Sequence, residues 1–446
     1  MDWERLLCRD RLVGEEGWKA QADTSVRKQF HRDYDRIVFS DAFRRLSAKT
    51  QVHPLAKNDQ VRDRLIHSLE VSCVARTFGM RIGEWLSDQD ELPTGVHPDD
   101  LGTVVQAAAL AHDIGNPPFG HSGEEAIRDF WQSELGEQCL TPLTPDQRAE
   151  LKSFEGNAQG FRVLTQLDPN RFSGGMRLTA ATQAAFVKYP WTRNARPQGK
   201  YGINHSEWPH FSELADRVGL TSIAAQRVAR HPLVYLLEAA DDACYSVIDI
   251  EDAVEMRVLP FEQARDLFLP LIDPIQHRSL EGLNEHQFLY RCRGLLIDQM
   301  EEATLRGFQQ SYEPIMRGEE VGDVMSVGDP NQIARTLKRF AAAHVYSSDE
   351  KQLHQSRAHT KLQTILGAMM GALYERFLAG RQRHGFSQRA AITLSVLKRD
   401  LPNESLSLYE QYQRALDHIS GMTDPYLLEF HDRLEHRLKE TPDFIQ

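Results

Sequence analysis

The stretch VVQAAALAHDIGNPPFGHSGEEAI, residues 104–127, changes character at its midpoint. An apolar, alanine-rich run ends in the vicinal pair His112-Asp113. Opened by Pro98-Asp99-Asp100, that run predicts a helix, because proline is tolerated in a first turn. Gly115, Pro117, Pro118 and Gly120 then break the helix, and helical character resumes at Gly123. Two histidines, His112 and His121, crowd the break together with Asp113, Glu124 and Glu125. A core helix has no use for that polar density. A metal site with a reaction chamber beside it does.

Outward from this stretch the periodicity is helical almost everywhere. Residues 26–50 space Ile37, Phe39, Phe43 and Leu46 as one buried side, with arginines opposite. Residues 53–59 predict a loop. A helix from near Val61 to about Ser87 carries Leu65, Leu69, Val71, Val74 and Phe78, with His67 near its start. Residues 135–148 predict a linker and 153–164 a helix. Residues 188–211 predict an irregular excursion over the surface, and 231–253 an apolar helix punctuated by acids. Beyond 255 the chain is amphipathic helix, broken at 318–331, where there is room for a short hairpin. Alternation of β-branched residues is scarce, so the expected fold class is all-α. Residues 1–255 are expected to form the catalytic core. Residues 256–446 are expected to form a helical C-terminal region packed on it, supplying oligomer contacts.

Bulk properties narrow the function. A net charge of −12 disfavours general nucleic-acid binding. Between Arg27 and Arg64, however, ten basic residues face five acidic ones, a local field suited to a small polyanion such as a nucleotide. No apolar run approaches the roughly 20 residues of a membrane span. The N-terminus has no signal-peptide core, and five scattered cysteines argue against a disulfide framework. The expectation is a cytoplasmic protein without a membrane partner.

His67, His112, Asp113 and one acid of the pair Asp241-Asp242 sit on three separate segments, each beside an apolar helix, and can converge on one divalent cation. A second vicinal pair, His431-Asp432, lacks both the apolar lead-in and the glycine-proline break and reads as solvated surface. His121 and Glu124, three apart at a helix start, are either a proton-transfer pair beside the metal or a loop histidine and a helix-start charge. Asp241, Tyr245 and Asp249 recur every four residues and share one helix face. Such a stripe on an apolar helix must be paired or must line a cavity. Lys188 is a phosphate candidate or a solvated loop lysine.

Six motifs appear together: RDYDRIVFSDAFRRLSAKTQV (32–52), RLIHSLEV (64–71), AHDIGNPPFGHSGE (111–124), FEGNAQGFRVL (154–164), EAADDACYSVIDIEDA (238–253) and GMTD (421–424). With them the chain resembles the deoxyguanosine triphosphate triphosphohydrolase (dGTPase-like) family of HD-domain phosphohydrolases. The match is good over the first 255 residues. From about 260 to 415 it extends only to helical character. The resemblance implies an HD-domain helical core and hydrolysis of a deoxynucleoside triphosphate (dNTP) to deoxynucleoside and inorganic triphosphate. It implies His67, His112, Asp113 and Asp241 as ligands of Mg, Mn or Fe, and His121 and Glu124 as the catalytic pair. It further implies Arg64 on phosphate, Gln51 and Asp249 on the sugar 3′-hydroxyl, and Tyr245 under the deoxyribose. Its members form homo-oligomers. Two other readings compete. One is a different HD phosphohydrolase, acting on nucleoside monophosphates or signalling nucleotides. The other is a nucleotide-sensing protein of low turnover that binds single-stranded DNA weakly.

Overall fold

The computed structural model describes residues 1–13, 17–23, 27–51, 62–167, 175–346, 349–380, 385, 387–397 and 401–439. The fold is all-α. Among the described residues, strands are confined to two antiparallel hairpins, Arg11–Leu12 with Trp18–Lys19 and Ser222–Ala224 with Arg227–Val228. The hairpin allowed for at 318–331 is absent, and a short helix, Val324–Gly328, stands there instead.

Three helices form the frame of the protein: Arg64–Asp88, Pro98–Ala111 and Pro232–Glu255. The first starts where Asp63 accepts the Ile66 N–H at 3.0 Å, which satisfies one of the orphan donors of a helix start. The second has Pro98 in its first turn and a capping box between His97 and Asp100. Leu101, Val104, Val105 and Leu110 are fully buried on it, each contributing about 1.5–3 kcal/mol by leaving water. The helix therefore has no solvent-facing alternative, and its C-terminal end delivers His112 and Asp113 to one fixed place.

Buried apolar side chains gather in two large clusters. One runs from Trp3 to Val345 and holds the three frame helices. The other joins Ile127, Phe130, Trp131 and Leu140 to Leu362, Met370, Tyr412 and Leu427. The helix His121–Gln132, which carries Glu124, thus packs on the helix Asp349–Leu378 of the C-terminal half.

Several local expectations are revised. Residues 135–148 are not a linker but hold most of two short helices, Glu134–Leu140 and Pro145–Leu151. The helical stretch after Gln29 is interrupted: Gln29–Val38 ends, and Ser40 caps a new turn, Asp41–Arg44, by accepting the Phe43 N–H. The interruption turns Phe39 outward, 79% exposed, while Ile37, Phe43 and Leu46 are buried as expected. The 188–211 excursion is irregular but folds inward, burying Trp191, Tyr201 and Ile203. The loop expected at 53–59 lies outside the described residues.

Candidate active site

The three frame helices and the 113–121 turn enclose a cavity of about 310 Å³. Its lining includes Gln51, Arg64, His67, His112, Asp113, His121, Glu124, Lys188, Asp241 and Tyr245. Nine of the ten residues to which the family resemblance assigns a site role therefore reach one space. The tenth, Asp249, is one helical turn beyond Tyr245 and accepts a hydrogen bond from the Tyr346 hydroxyl at 2.5 Å.

His67, His112 and Asp241 each present one ligand atom, all within 4.8 Å of one another. His67 Nε2 lies 3.2 Å, and His112 Nε2 3.5 Å, from Asp241 Oδ1. Asp113 Oδ1 is 3.6 Å from the same His112 nitrogen. His112 Nδ1 stands 2.7 Å from the Ala109 carbonyl. A proton on Nδ1 donates there and leaves Nε2 with its lone pair toward the carboxylates, the arrangement that metal-binding imidazoles use. Asp113, expected as a fourth ligand, is not one of that group of three, whose two imidazoles and one carboxylate suit a divalent cation. Asp242 also lines the cavity but lies outside the group of His67, His112 and Asp241 and pairs with Lys338 at 2.6 Å.

Charge is tightly coupled around this cluster. Burial alone would raise the Asp241 carboxyl, but Lys188 (2.8 Å from Oδ2) and then His112 outweigh it and hold it well below the usual range. Asp113 behaves likewise: burial opposes ionisation, and Arg64, 2.5 Å away, followed by His112, overcomes it. Asn116 also donates to Asp113 at 2.5 Å. Burial lowers His112, yet Asp113 and Asp241 raise it by more. Both carboxylates are thus ionised and ready to meet positive charge.

The 113–121 turn sets a second group against the first. Glu124 is buried; its Oε1 accepts the Gly156 N–H at 2.8 Å, and its Oε2 lies 3.0 Å from His121 Nδ1. Burial disfavours its charge, but the hydrogen bond and charge of His121 prevail and keep it ionised. The His121 side chain is 76% exposed and opens onto the cavity. A buried carboxylate holding an accessible imidazole is an arrangement for moving a proton. Gly120 makes the turn possible. Its φ is +55°, and a Cβ there would collide with the Arg64 guanidinium.

The sugar-side expectation gains detail. The Tyr245 ring stacks on Tyr346, with centroids 5.6 Å apart. Burial first, then the charge of Asp249, pushes the Tyr245 phenol up to about 12. Gln51 Oε1 is buried without a hydrogen-bond partner among the described residues. A buried amide oxygen left so is costly and calls for a donor.

Lys188 is no solvated loop lysine: 15% of its side chain is exposed and it lines the cavity. Much of the basic 27–64 stretch, by contrast, is spent elsewhere. Arg27 pairs with Asp35, Lys28 with Asp100, and Arg62 with Glu70, Glu251 and Asp252. The His431-Asp432 pair is also only partly solvated: Asp432 is exposed, but His431 is buried, and both contact Lys361. Sequence reasoning missed Tyr189, Lys200, Asn157 and Tyr346. Tyr189 and Lys200 sit in the irregular 188–211 segment, and Asn157 in the first turn of the helix Gly156–Gln166. Tyr346 lies in the region matched only by its helical character.

Residues 64–144 match the model of the HD domain. A "Deoxyguanosinetriphosphate triphosphohydrolase-like protein" of Pseudomonas aeruginosa (strain LESB58) is 42% identical, covering 96% of this chain and 97% of the relative. The chain belongs to the deoxyguanosinetriphosphate triphosphohydrolase-like family. A family member of the same name from Synechocystis sp. is also 42% identical, over 95% of this chain and 97% of its own length. The "Deoxyguanosinetriphosphate triphosphohydrolase" of Enterobacter sp. (strain 638) is 29% identical, over 97% of each chain. This dGTPase-like chain is accordingly an HD phosphohydrolase with a His/Asp metal-binding group. Among the described residues no helix is long and apolar enough to cross a membrane.

Proposed function

We propose that this dGTPase-like protein hydrolyses deoxynucleoside triphosphates to deoxynucleoside and inorganic triphosphate. The observation that carries the reading is the placement of His121-Glu124 on the wall of the cavity that holds His67, His112 and Asp241. In this reading His67, His112, Asp113 and Asp241 hold a divalent cation, which when bound supplies Lewis acidity at the α-phosphate. Arg64 and Lys188, already facing the carboxylates, carry the positive charge that a substrate of roughly four negative charges requires.

His121 manages the proton at the scissile bond between the α-phosphorus and O5′. Glu124 holds its Nδ1 and leaves Nε2 for the reacting atoms. Tyr245 packs under the deoxyribose, where a ribose 2′-hydroxyl would collide. Gln51, whose Oε1 has no partner among the described residues, and Asp249 both read the 3′-hydroxyl, one of them accepting its single proton, with Tyr346 releasing Asp249 or sharing it.

The test is a product assay with each of the four dNTPs and their ribose counterparts, in Mg, Mn and Fe(II). Triphosphate release from dNTPs, with the ribonucleotides hydrolysed about tenfold or more slowly, is the expected result. Orthophosphate or pyrophosphate as the first product would place the cleavage elsewhere and defeat the reading.

A further inference from the structure

One of the six motifs has no part in the cavity: GMTD, at 421–424. Asp424 opens the helix Asp424–Lys439 and is 1% exposed. Its Oδ1 accepts the Phe119 N–H at 2.9 Å. Its Oδ2 accepts the Thr50 N–H at 2.9 Å and the Thr50 hydroxyl. A single carboxylate so joins two segments that are distant in sequence. Beside it, buried Lys49 donates from Nζ to the carbonyls of Asn116 and Ser420, both at 2.6 Å. The Lys49 carbonyl in turn accepts the Arg64 N–H at 3.1 Å.

The joined segments are those that matter to the cavity. Thr50 precedes Gln51, and Asn116 to Phe119 is the turn between the His-Asp pair and His121. Phe119 has φ +60°, an uncommon conformation for an aromatic residue. Backbone of that kind costs about 1–3 kcal/mol and persists only where its surroundings impose it. The Asp424 carboxylate on the Phe119 N–H is such an imposition, two residues before His121.

We propose that Asp424, seconded by Lys49, is a positioning residue: it clamps the 116–119 turn to residues 49–50 and so fixes His121-Glu124 relative to the metal-binding cluster. This rests on the proposed role of His121. It gives the C-terminal helices control over the chemistry without their lining the cavity.

The isosteric Asp424→Asn exchange sets an amide NH₂ against either the Phe119 or the Thr50 N–H, donor against donor. The expected result is a kcat for triphosphate release lowered about 30- to 100-fold, as for a reacting group misplaced by about 1 Å. KM and Mn²⁺ affinity, read by electron paramagnetic resonance, stay within about threefold of wild type. The milder Thr50→Val removes only the hydroxyl contact and lowers kcat about three- to tenfold, and Thr50→Ser restores it. A kcat within about threefold of wild type in Asp424→Asn, or a loss matched by equal losses in KM or metal affinity, overturns the proposal.

Hydrogen exchange decides the matter without substrate. Asp424→Asn, or Thr50→Val if the first variant does not fold, speeds exchange in peptides from 114–124 by about tenfold or more, while peptides from 98–111 keep their rates. Unchanged exchange in 114–124 refutes the clamp. A wild-type protein that releases no triphosphate refutes only the proposed function.

Discussion

Replacing Gly120 by alanine tests how the 113–121 turn and Arg64 depend on each other. Gly120 has φ +55° and ψ −124°, a region that costs a residue with a Cβ about 1–3 kcal/mol. The added Cβ also lands against Arg64 Nη2. The guanidinium is the end of a flexible chain, but Arg64 is 8% exposed and bonded to Asp113, so it moves only by giving up that contact. A hydrogen bond between charged groups is worth about 1.5–3 kcal/mol. Gly95 supplies the control. Its φ is +81° and a Cβ there meets nothing within 4 Å. Gly95→Ala therefore carries backbone strain alone, about 1–2 kcal/mol, with activity unchanged. Gly120→Ala is expected to lose a further 1.5–3 kcal/mol or so, seen as a lower urea midpoint by circular dichroism. If that energy is withdrawn from the transition state, kcat/KM falls about 10- to 100-fold. Gly120→Ala matching Gly95→Ala in both midpoint and activity would refute the packing of Arg64 on the turn.

Two further outcomes follow from the carboxylates. Asp241→Asn should weaken Mn²⁺ binding by more than the ~10–100-fold typical of a lost outer partner, whereas Asp242→Asn, whose carboxylate is committed to Lys338, should change it little; titration by electron paramagnetic resonance separates them, and equal losses would return the assignment to the open pair. Glu150, which is not among the residues lining the cavity, gives a pH signature of its own: burial, against hydrogen bonds from Tyr409 and the His205 N–H, pushes its carboxyl from 4.5 to about 7. A carboxyl raised in the folded state binds a proton more tightly there than in the unfolded chain. Its contribution is therefore fully present below pH 4.5 and is lost as pH rises through 7. Over that interval wild type should lose on the order of 3 kcal/mol relative to Glu150→Gln, which cannot ionise. Urea midpoints of the two proteins that stay parallel between about pH 5 and 8 would show that Glu150 is not held neutral.

The helical architecture was legible because the frame helices carry their own start signals and long apolar runs. Pro98-Asp99-Asp100 and the alanine-rich run after it left little choice of element or end point. The candidate site was legible for a related reason: His67, His112 and the Asp241-Asp242 pair are polar exceptions on apolar helices, and such exceptions must converge or be paired; the family resemblance chose Asp241. Less was readable where contacts between distant segments decide. Phe39 fits a helical period, but Ser40 offers a competing cap and turns it out to solvent. The 188–211 segment has the composition of a surface loop, yet Trp191 and Tyr201 bury themselves. Asp424 resembles any helix-opening acid until Thr50 and Phe119 are seen to donate to it. The charge of the 27–64 stretch overstated its reach, because sequence counts charges but not their partners.

The proposed reaction cleaves the bond between the α-phosphorus and O5′ of a dNTP. Phosphorus-31 NMR of the Mn-activated reaction, quenched with chelator and run in ¹⁸O-enriched water, tests it directly. The expected result is inorganic triphosphate as the sole phosphorus product, with ¹⁸O on a terminal phosphate and none in the deoxynucleoside 5′-hydroxyl. Label in that hydroxyl, or pyrophosphate or orthophosphate as the initial product, would contradict it.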